Sequence, residues 1–149
     1  MVDCAVIFDV DGVLLELTRD EEEIFFQSLA KFVLTENLSR DWNSYAIRNE
    51  ENIIEEILAR NHLPLTWAQI VMDHYIATLK ASKIKAVAIE GAESMLAALQ
   101  SKAQLGIATA NLLAAAKHRL QQVQLWSAVE KFARGADGGG HKSDILDRA

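Results

Sequence analysis

A single cysteine, a single proline and no long apolar run set the first limits on this 149-residue sequence. Cys4 alone excludes an intramolecular disulfide and suits a reducing compartment. No stretch approaches the roughly 18 consecutive apolar residues of a membrane span, and "MVDCAVIFDV" lacks the basic flank that opens an export signal. A cytoplasmic protein without a membrane partner is therefore expected. Cations are also in the minority, with 15 Lys and Arg against 21 Asp and Glu and a net charge of -6. That balance excludes the basic footprint of a nucleic-acid-binding domain. There is no internal repeat and no low-complexity linker. What remains is 50% hydrophobic and 24% charged, a composition that fits one globular domain with room for an insertion.

The apolar pattern changes period along the chain. From Val2 to Phe8, β-branched and aromatic residues run almost without interruption, as in a strand covered on both faces of a parallel sheet. Three helical patterns follow with no strand between them. The first runs from Asp20 to about Thr35, with its acids at the N-terminus and Ile24, Leu29, Phe32 and Val33 near helical spacing. The second, "RNEENIIEEILARN", carries Ile53, Ile54, Ile57 and Leu58 on one stripe. The third follows Pro64, with Thr66 as its expected cap. After Lys85 element types alternate: Gly91 and a helix, the short strand of "AQLGIATAN", a helix over "LLAAAKHRLQQVQL", then a short strand, a glycine-rich loop and the start of a helix in "EKFARGADGGGHKSDILDRA". This order predicts an α/β sheet flanked by helices, with residues 17–85 inserted between core segments 1–16 and 86–149.

"AVIFDVDGVLL" places Asp9 and Asp11 just past the first strand, where unpartnered carboxylates would cost several kcal/mol if buried. In open α/β sheets sites form at the carboxyl ends of strands. Thr109 and Asn111 stand at that end of "LGIATA", so they are expected on the same rim as the two acids. Lys142, after Gly138-Gly139-Gly140, can bring a cation there. An attacking acid, a proton-relaying acid, a hydroxyl donor and an ammonium are the parts needed for phosphoryl transfer when a divalent cation screens the carboxylates. Asp-Gly after a strand is by itself a common turn. An EF-hand is excluded, because the glycine comes too early and the twelfth loop position is Asp20 instead of glutamate. The acids of "DEEE" are read as a solvated helix start. His62, His74, His118 and His141 show no ligand spacing, although His141 neighbours Lys142, and Trp42, Trp67 and Trp126 are read as packing residues.

"DVDGVLL", "IATAN" and the lysine of "GGGHKSDIL" resemble, in order, the first three motifs of the haloacid dehalogenase-like hydrolases, and the helical insertion is similar to the cap of the phosphoglycolate phosphatase and β-phosphoglucomutase branch. The resemblance covers nearly the whole chain. It implies a doubly wound, Rossmann-like parallel sheet with a helical cap, and a Mg2+-dependent phosphohydrolase acting on a small phosphorylated metabolite. It also implies roles. Asp9 would be the nucleophile forming an aspartyl-phosphate, and Asp11 the acid and base, with both acids at the metal. Thr109, the Ala110 N–H and Asn111 would hold the phosphoryl group. Lys142 would hold the nucleophile and offset negative charge. Gly12 would turn the chain out of the strand.

Two departures from the family pattern stand out. Relatives carry a fourth, acidic motif on a further strand, whereas the acids after Lys142 here are Asp144 and Asp147 in an expected helix. The C-terminal part of the core is thus expected to be missing from these 149 residues, with Asp137 or Asp144 the acids to test as substitutes. Glu16-Leu17 also replaces the usual acid and small hydroxyl residue at the cap hinge. The alternatives are a non-catalytic or defective binding member, an inactive fragment, or a phosphomutase using the same chemistry. A first strand lacking a neighbour on one side would also favour self-association through the sheet edge.

Overall fold

A computed structural model describes residues 4–149. Three parallel strands form one sheet in the order β1-β2-β3: β1 Ala5–Phe8, β2 Gln104–Ala108 and β3 Phe132–Arg134. The expected start of the first strand at Val2 lies outside the described residues. In the central strand Gly106 stands opposite Ile7 and Phe132. A Cβ there would lie 2.4 Å from the Phe132 carbonyl oxygen and 2.9 Å from Ile7 Cδ1, so close strand packing requires glycine at that position.

Seven α-helices accompany the sheet among the described residues: α1 Arg19–Leu29, α2 Glu50–Arg60, α3 Ala68–Ala81, α4 Ala92–Leu99, α5 Leu113–Gln122, α6 Trp126–Val129 and α7 Lys142–Asp147. The first three lie between β1 and β2, as the uninterrupted helical patterns predict. Two boundaries differ from expectation. The first helix ends at Leu29 instead of near Thr35, because the Phe32 and Val33 N–H groups both turn back onto the Leu29 carbonyl, at 2.9 and 3.2 Å. That turn brings Phe32 and buried Val33 against the helical core. Thr66 does not cap α3 but sits inside a 3-10 turn, Leu65–Trp67, that Pro64 leads into. Proline sets the extended conformation before the turn, so the chain coils one turn earlier and needs no hydroxyl cap.

Two apolar clusters form. One joins α1, α2 and α3 through Phe25, Phe26, Ile53, Ile57, Val71 and Tyr75 and reaches Leu112 and Ala115 beside the sheet. The other packs Val10, Leu14, Leu96, Ile107, Leu120 and Val129 around the strands. The inserted segment leaves and re-enters at neighbouring points. Glu16 N–H donates to the Val87 carbonyl at 2.9 Å, and Ile89 N–H to the Leu14 carbonyl at 3.0 Å. The architecture is α/β, a parallel Rossmann-like sheet with a helical insertion.

Among the described residues β1 pairs only with β2, and its Val6, Ile7 and Phe8 are half-buried. An apolar edge with unpaired backbone groups is a template for another strand. Residues 1–149 produced by themselves are therefore expected to self-associate as concentration rises, and Ala5→Lys, at an exposed position of that strand, is expected to shift the equilibrium toward monomer. Sedimentation across a concentration series checks this, and a monomer at every concentration would refute it.

Candidate active site

The first strand delivers two acids to the carboxyl edge of the sheet on a tightly bonded turn. Val10, wholly buried, accepts from the Leu14 and Leu15 N–H groups at 2.9 and 3.0 Å. Gly12 adopts φ 75° while its N–H donates to the Leu15 carbonyl at 2.8 Å, a left-handed turn that glycine enters without steric cost. Burying Val10 sends its neighbours Asp9 and Asp11 toward the rim. Asp9 Oδ1 accepts from the Val10 N–H at 2.9 Å, and Oδ2 pairs with Lys142 Nζ at the start of α7. The structure thus brings Asp9 and Lys142, 133 positions apart, into one ion pair.

Asp11 is engaged on both oxygens. Asn111 Nδ2 donates to Oδ2 at 2.6 Å, which turns the Asn111 amide toward the acid. Arg119 Nη2 approaches Oδ1 at 2.7 Å, an ion pair that sets the guanidinium against the acid. The Arg119 guanidinium also forks onto Glu21, with Nε and Nη2 each 2.8 Å from a carboxylate oxygen. Burial lowers the proton affinity of Arg119, but Asp11 and Glu21 outweigh it and leave its pKa raised. Thr109 is buried, and its Oγ1 accepts from the Asn111 N–H at 3.2 Å. The hydroxyl proton is thus left to be donated elsewhere.

The start of α2 grips both loops. Glu50 N–H donates to the Ala110 carbonyl at 2.9 Å, while Glu50 Oε2 accepts from the Leu112 N–H at 2.6 Å and Oε1 from the Tyr75 hydroxyl at 2.8 Å. Burial pushes the Glu50 carboxyl up to about 8, against the downward pull of the Leu112 and Tyr75 donors. Burial, then Glu50 itself, raises the Tyr75 hydroxyl well above its usual value. Next to Glu50, Asn49 Nδ2 donates to the Gly140 carbonyl at 2.7 Å and Asn52 Oδ1 accepts from the Gly140 N–H at 2.9 Å. Glu51 accepts from the Gly138 and Gly139 N–H groups at 2.5 and 3.1 Å. Four successive residues therefore tie α2 to the loop after β2 and to the loop that presents Lys142.

Between these layers lies a cavity of about 230 Å3, bordered by Asp11, Phe25, Trp42, Glu50, Asn111 and Arg119. A second, of about 450 Å3, lies toward Lys142 and His141, and the two share Trp42, Arg48 and Ala110. Trp42 stacks on Phe25 with ring centroids 5.7 Å apart and donates its indole N–H to Glu22 at 2.5 Å. Packing residue and cavity wall are here the same side chain.

The acidic helix start corrects a sequence expectation. Glu21 is buried against Arg119 and Glu22 is half-buried under Trp42, so "DEEE" is not uniformly solvated. Sequence reasoning also passed over Arg119, Glu50 and Tyr75. A signal was present for the charged ones, since each sits at helical spacing with buried apolar residues: Glu21 with Ile24 and Phe25, Glu50 with Ile53 and Ile54, Arg119 with Ala115 and Ala116. A charge on such a stripe needs a buried partner.

Two acids converge on the rim, and a hard cation such as magnesium is commonly held by one or two carboxylates plus substrate phosphate and water, so this donor set fits it. Among the described residues no group of three His, Cys, Asp or Glu side chains is placed to hold a metal. Asp137 accepts from the Leu113 N–H at 2.6 Å and Asp144 from the His141 N–H at 2.7 Å, and neither forms a metal-holding group of three with Asp9 and Asp11. None of the helices among the described residues is long and apolar enough to cross a membrane.

Residues 6–149 match the family model described as haloacid dehalogenase-like hydrolase. No curated protein sequence matches the chain. Among solved structures, CbbY from Rhodobacter sphaeroides in complex with phosphate is similar at 17% identity and a TM-score of 0.67, covering 99% of this chain and 70% of that one. A CbbY mutant in complex with xylulose-(1,5)bisphosphate compares at 16% identity and 0.67, with the same coverage of 99% and 70%. A haloacid dehalogenase-like family hydrolase from Streptococcus pneumoniae compares at 18% identity and 0.53, covering 97% and 67%. At these identities the likeness speaks for the fold.

Proposed function

The chain belongs to the haloacid dehalogenase-like hydrolases, and from that membership we propose that it serves a magnesium-dependent phosphohydrolase acting on a small phosphorylated metabolite. The observation that carries the reading is the convergence at one rim of Asp9, paired to Lys142, and Asp11, held by Asn111 and Arg119. The phosphate held by CbbY and the bisphosphate held by its mutant support the substrate class.

In this reading an Asp9 carboxylate oxygen attacks phosphorus, forming an aspartyl-phosphate as the bond to the leaving oxygen breaks, and Asp11 gives that oxygen its proton. Asp11, now a carboxylate, then takes a proton from water as the water oxygen attacks phosphorus. The bond to Asp9 breaks, and inorganic phosphate, the Asp9 carboxylate and the protonated Asp11 carboxyl are recovered. Thr109, Ala110 and Asn111 orient the phosphoryl oxygens, and Lys142 holds Asp9 and offsets the charge gathered there. Magnesium, held by Asp9 and Asp11, would supply further positive charge to the phosphoryl oxygens. Residues 17–85 act as the cap, with Phe25 and Trp42 excluding water from the cavity and reading the organic part of the substrate.

Phosphate release from a panel of small phosphomonoesters is the test. The protein is expected to turn over at least one of them with magnesium, to stop when a chelator removes it, and to recover on its return. Failure on every ester with magnesium present would overturn the reading.

A further inference from the structure

The mechanism above leaves one buried cation unused. Arg119 is 5% exposed and lies on the face of α5 that also buries Ala115, Ala116 and Leu120. An apolar side chain would pack there without desolvating a guanidinium, and a buried ion pair is weak grounds for stability. We propose that Arg119 is the positioning residue for Asp11, and that its fork onto Glu21 makes the aim of Asp11 depend on the seating of α1. The inference rests on the phosphohydrolase reading, in which Asp11 is the proton-transferring acid.

Three features of the geometry carry it. First, Arg119 Nη2 is shared, 2.8 Å from Glu21 and 2.7 Å from Asp11, so a shift of α1 moves the nitrogen that faces Asp11. Second, the bidentate fork onto Glu21 fixes the guanidinium from α1, so the direction from which Nη2 meets Asp11 Oδ1 is set there. Third, Asn111 fixes the other oxygen from the loop after β2 at 2.6 Å. The carboxylate of Asp11 is therefore set by three separate parts of the fold: its own turn, the β2 loop, and α5 acting with α1. Glu22, Arg48, Glu50 and Tyr75 complete the charged and titratable surroundings of the same cavity.

A positioning role is separable from a structural one by leaving group. Phenyl phosphate and p-nitrophenyl phosphate have nearly the same shape, but phenoxide is the poorer leaving group and depends more on protonation. Arg119→Met alone strands Glu21 as a buried, unpaired charge and threatens the fold, so Glu21→Leu accompanies it and circular dichroism confirms folding. The paired variant is expected to lose roughly 10- to 100-fold in kcat on phenyl phosphate but only about 3-fold on p-nitrophenyl phosphate, with KM for each within about 2-fold. In an Asp11→Asn background the same pair should cost no more than about 2-fold, because Arg119 acts through the acid already removed. Equal losses on both esters, or an undiminished loss in that background, would overturn the inference alone. Failure of the unmodified protein to hydrolyse either ester would overturn the phosphohydrolase reading and this inference with it.

Discussion

Asp9→Asn is expected to abolish phosphomonoester turnover, with a fall on the order of 10⁶-fold, the scale on which removing a covalent nucleophile acts. The amide matches the carboxylate in shape and can still accept from the Val10 N–H, which holds Asp9 Oδ1 at 2.9 Å, so the turn stays intact. It cannot attack phosphorus, and it surrenders the charge that pairs with Lys142. Asp11→Asn is expected to be milder, roughly 10²- to 10⁴-fold, the usual range for a general acid-base group. It should also be most severe on poor leaving groups. Initial rates of phosphate release at saturating substrate measure both variants, and circular dichroism verifies that they fold. Undiminished turnover in Asp9→Asn would rule out the covalent mechanism. Equal, partial losses in the two variants would mean that the acids act only by holding charge.

Both variants are chosen from residues legible in the sequence, and the reason is local. Asp9, Asp11, Thr109 and Asn111 each stand within a few residues of a strand end, and strand ends in a parallel α/β sheet face one rim. Reading "VIF" and "LGIATA" as strands therefore places all four. Lys142 was accessible for a related reason, since the glycine-rich loop before it announces a turn back toward that rim. The helical insertion was legible because three amphipathic stripes follow one another without a strand. Helix ends were less so: Phe32 and Val33 continue the apolar pattern past Leu29 although the backbone has turned, and periodicity does not record where a carbonyl is recaptured. The buried charges were hidden more deeply. Glu21 sits among acids at a helix start, where solvation is the usual outcome, and its partner Arg119 lies 98 positions away. Glu50 meets Tyr75 25 positions on and Leu112 62 positions on. Only the apolar spacing around each charge hinted that it was inside, and no local pattern names a partner across the fold.

The burial of Glu50 has a consequence for stability that grows with pH. Its carboxyl, ordinarily at 4.5, is pushed up to about 8 in the folded chain, chiefly by burial. Between those values the folded state keeps a proton that the unfolded chain has released, so stability falls as pH rises through the interval and levels off above it. At about 1.4 kcal/mol per pH unit, the loss attributable to this group is roughly 4–5 kcal/mol. Glu50→Gln imitates the protonated acid: its carbonyl oxygen can accept from the Leu112 N–H, and its amide N–H can donate to the Tyr75 hydroxyl oxygen. The variant is expected to match the unmodified protein within about 1 kcal/mol at pH 5 and to exceed it by several kcal/mol at pH 8.5. Urea midpoints between pH 5 and 9 measure the difference, with the m-value checked for constancy. Parallel curves for the two proteins would mean that Glu50 ionises in place and that the fold supplies it a countercharge. A converging pair at low pH would instead identify the neutral carboxyl as the form that seats α2 on the Ala110–Leu112 loop, and would predict that this seat loosens first as the solution turns alkaline.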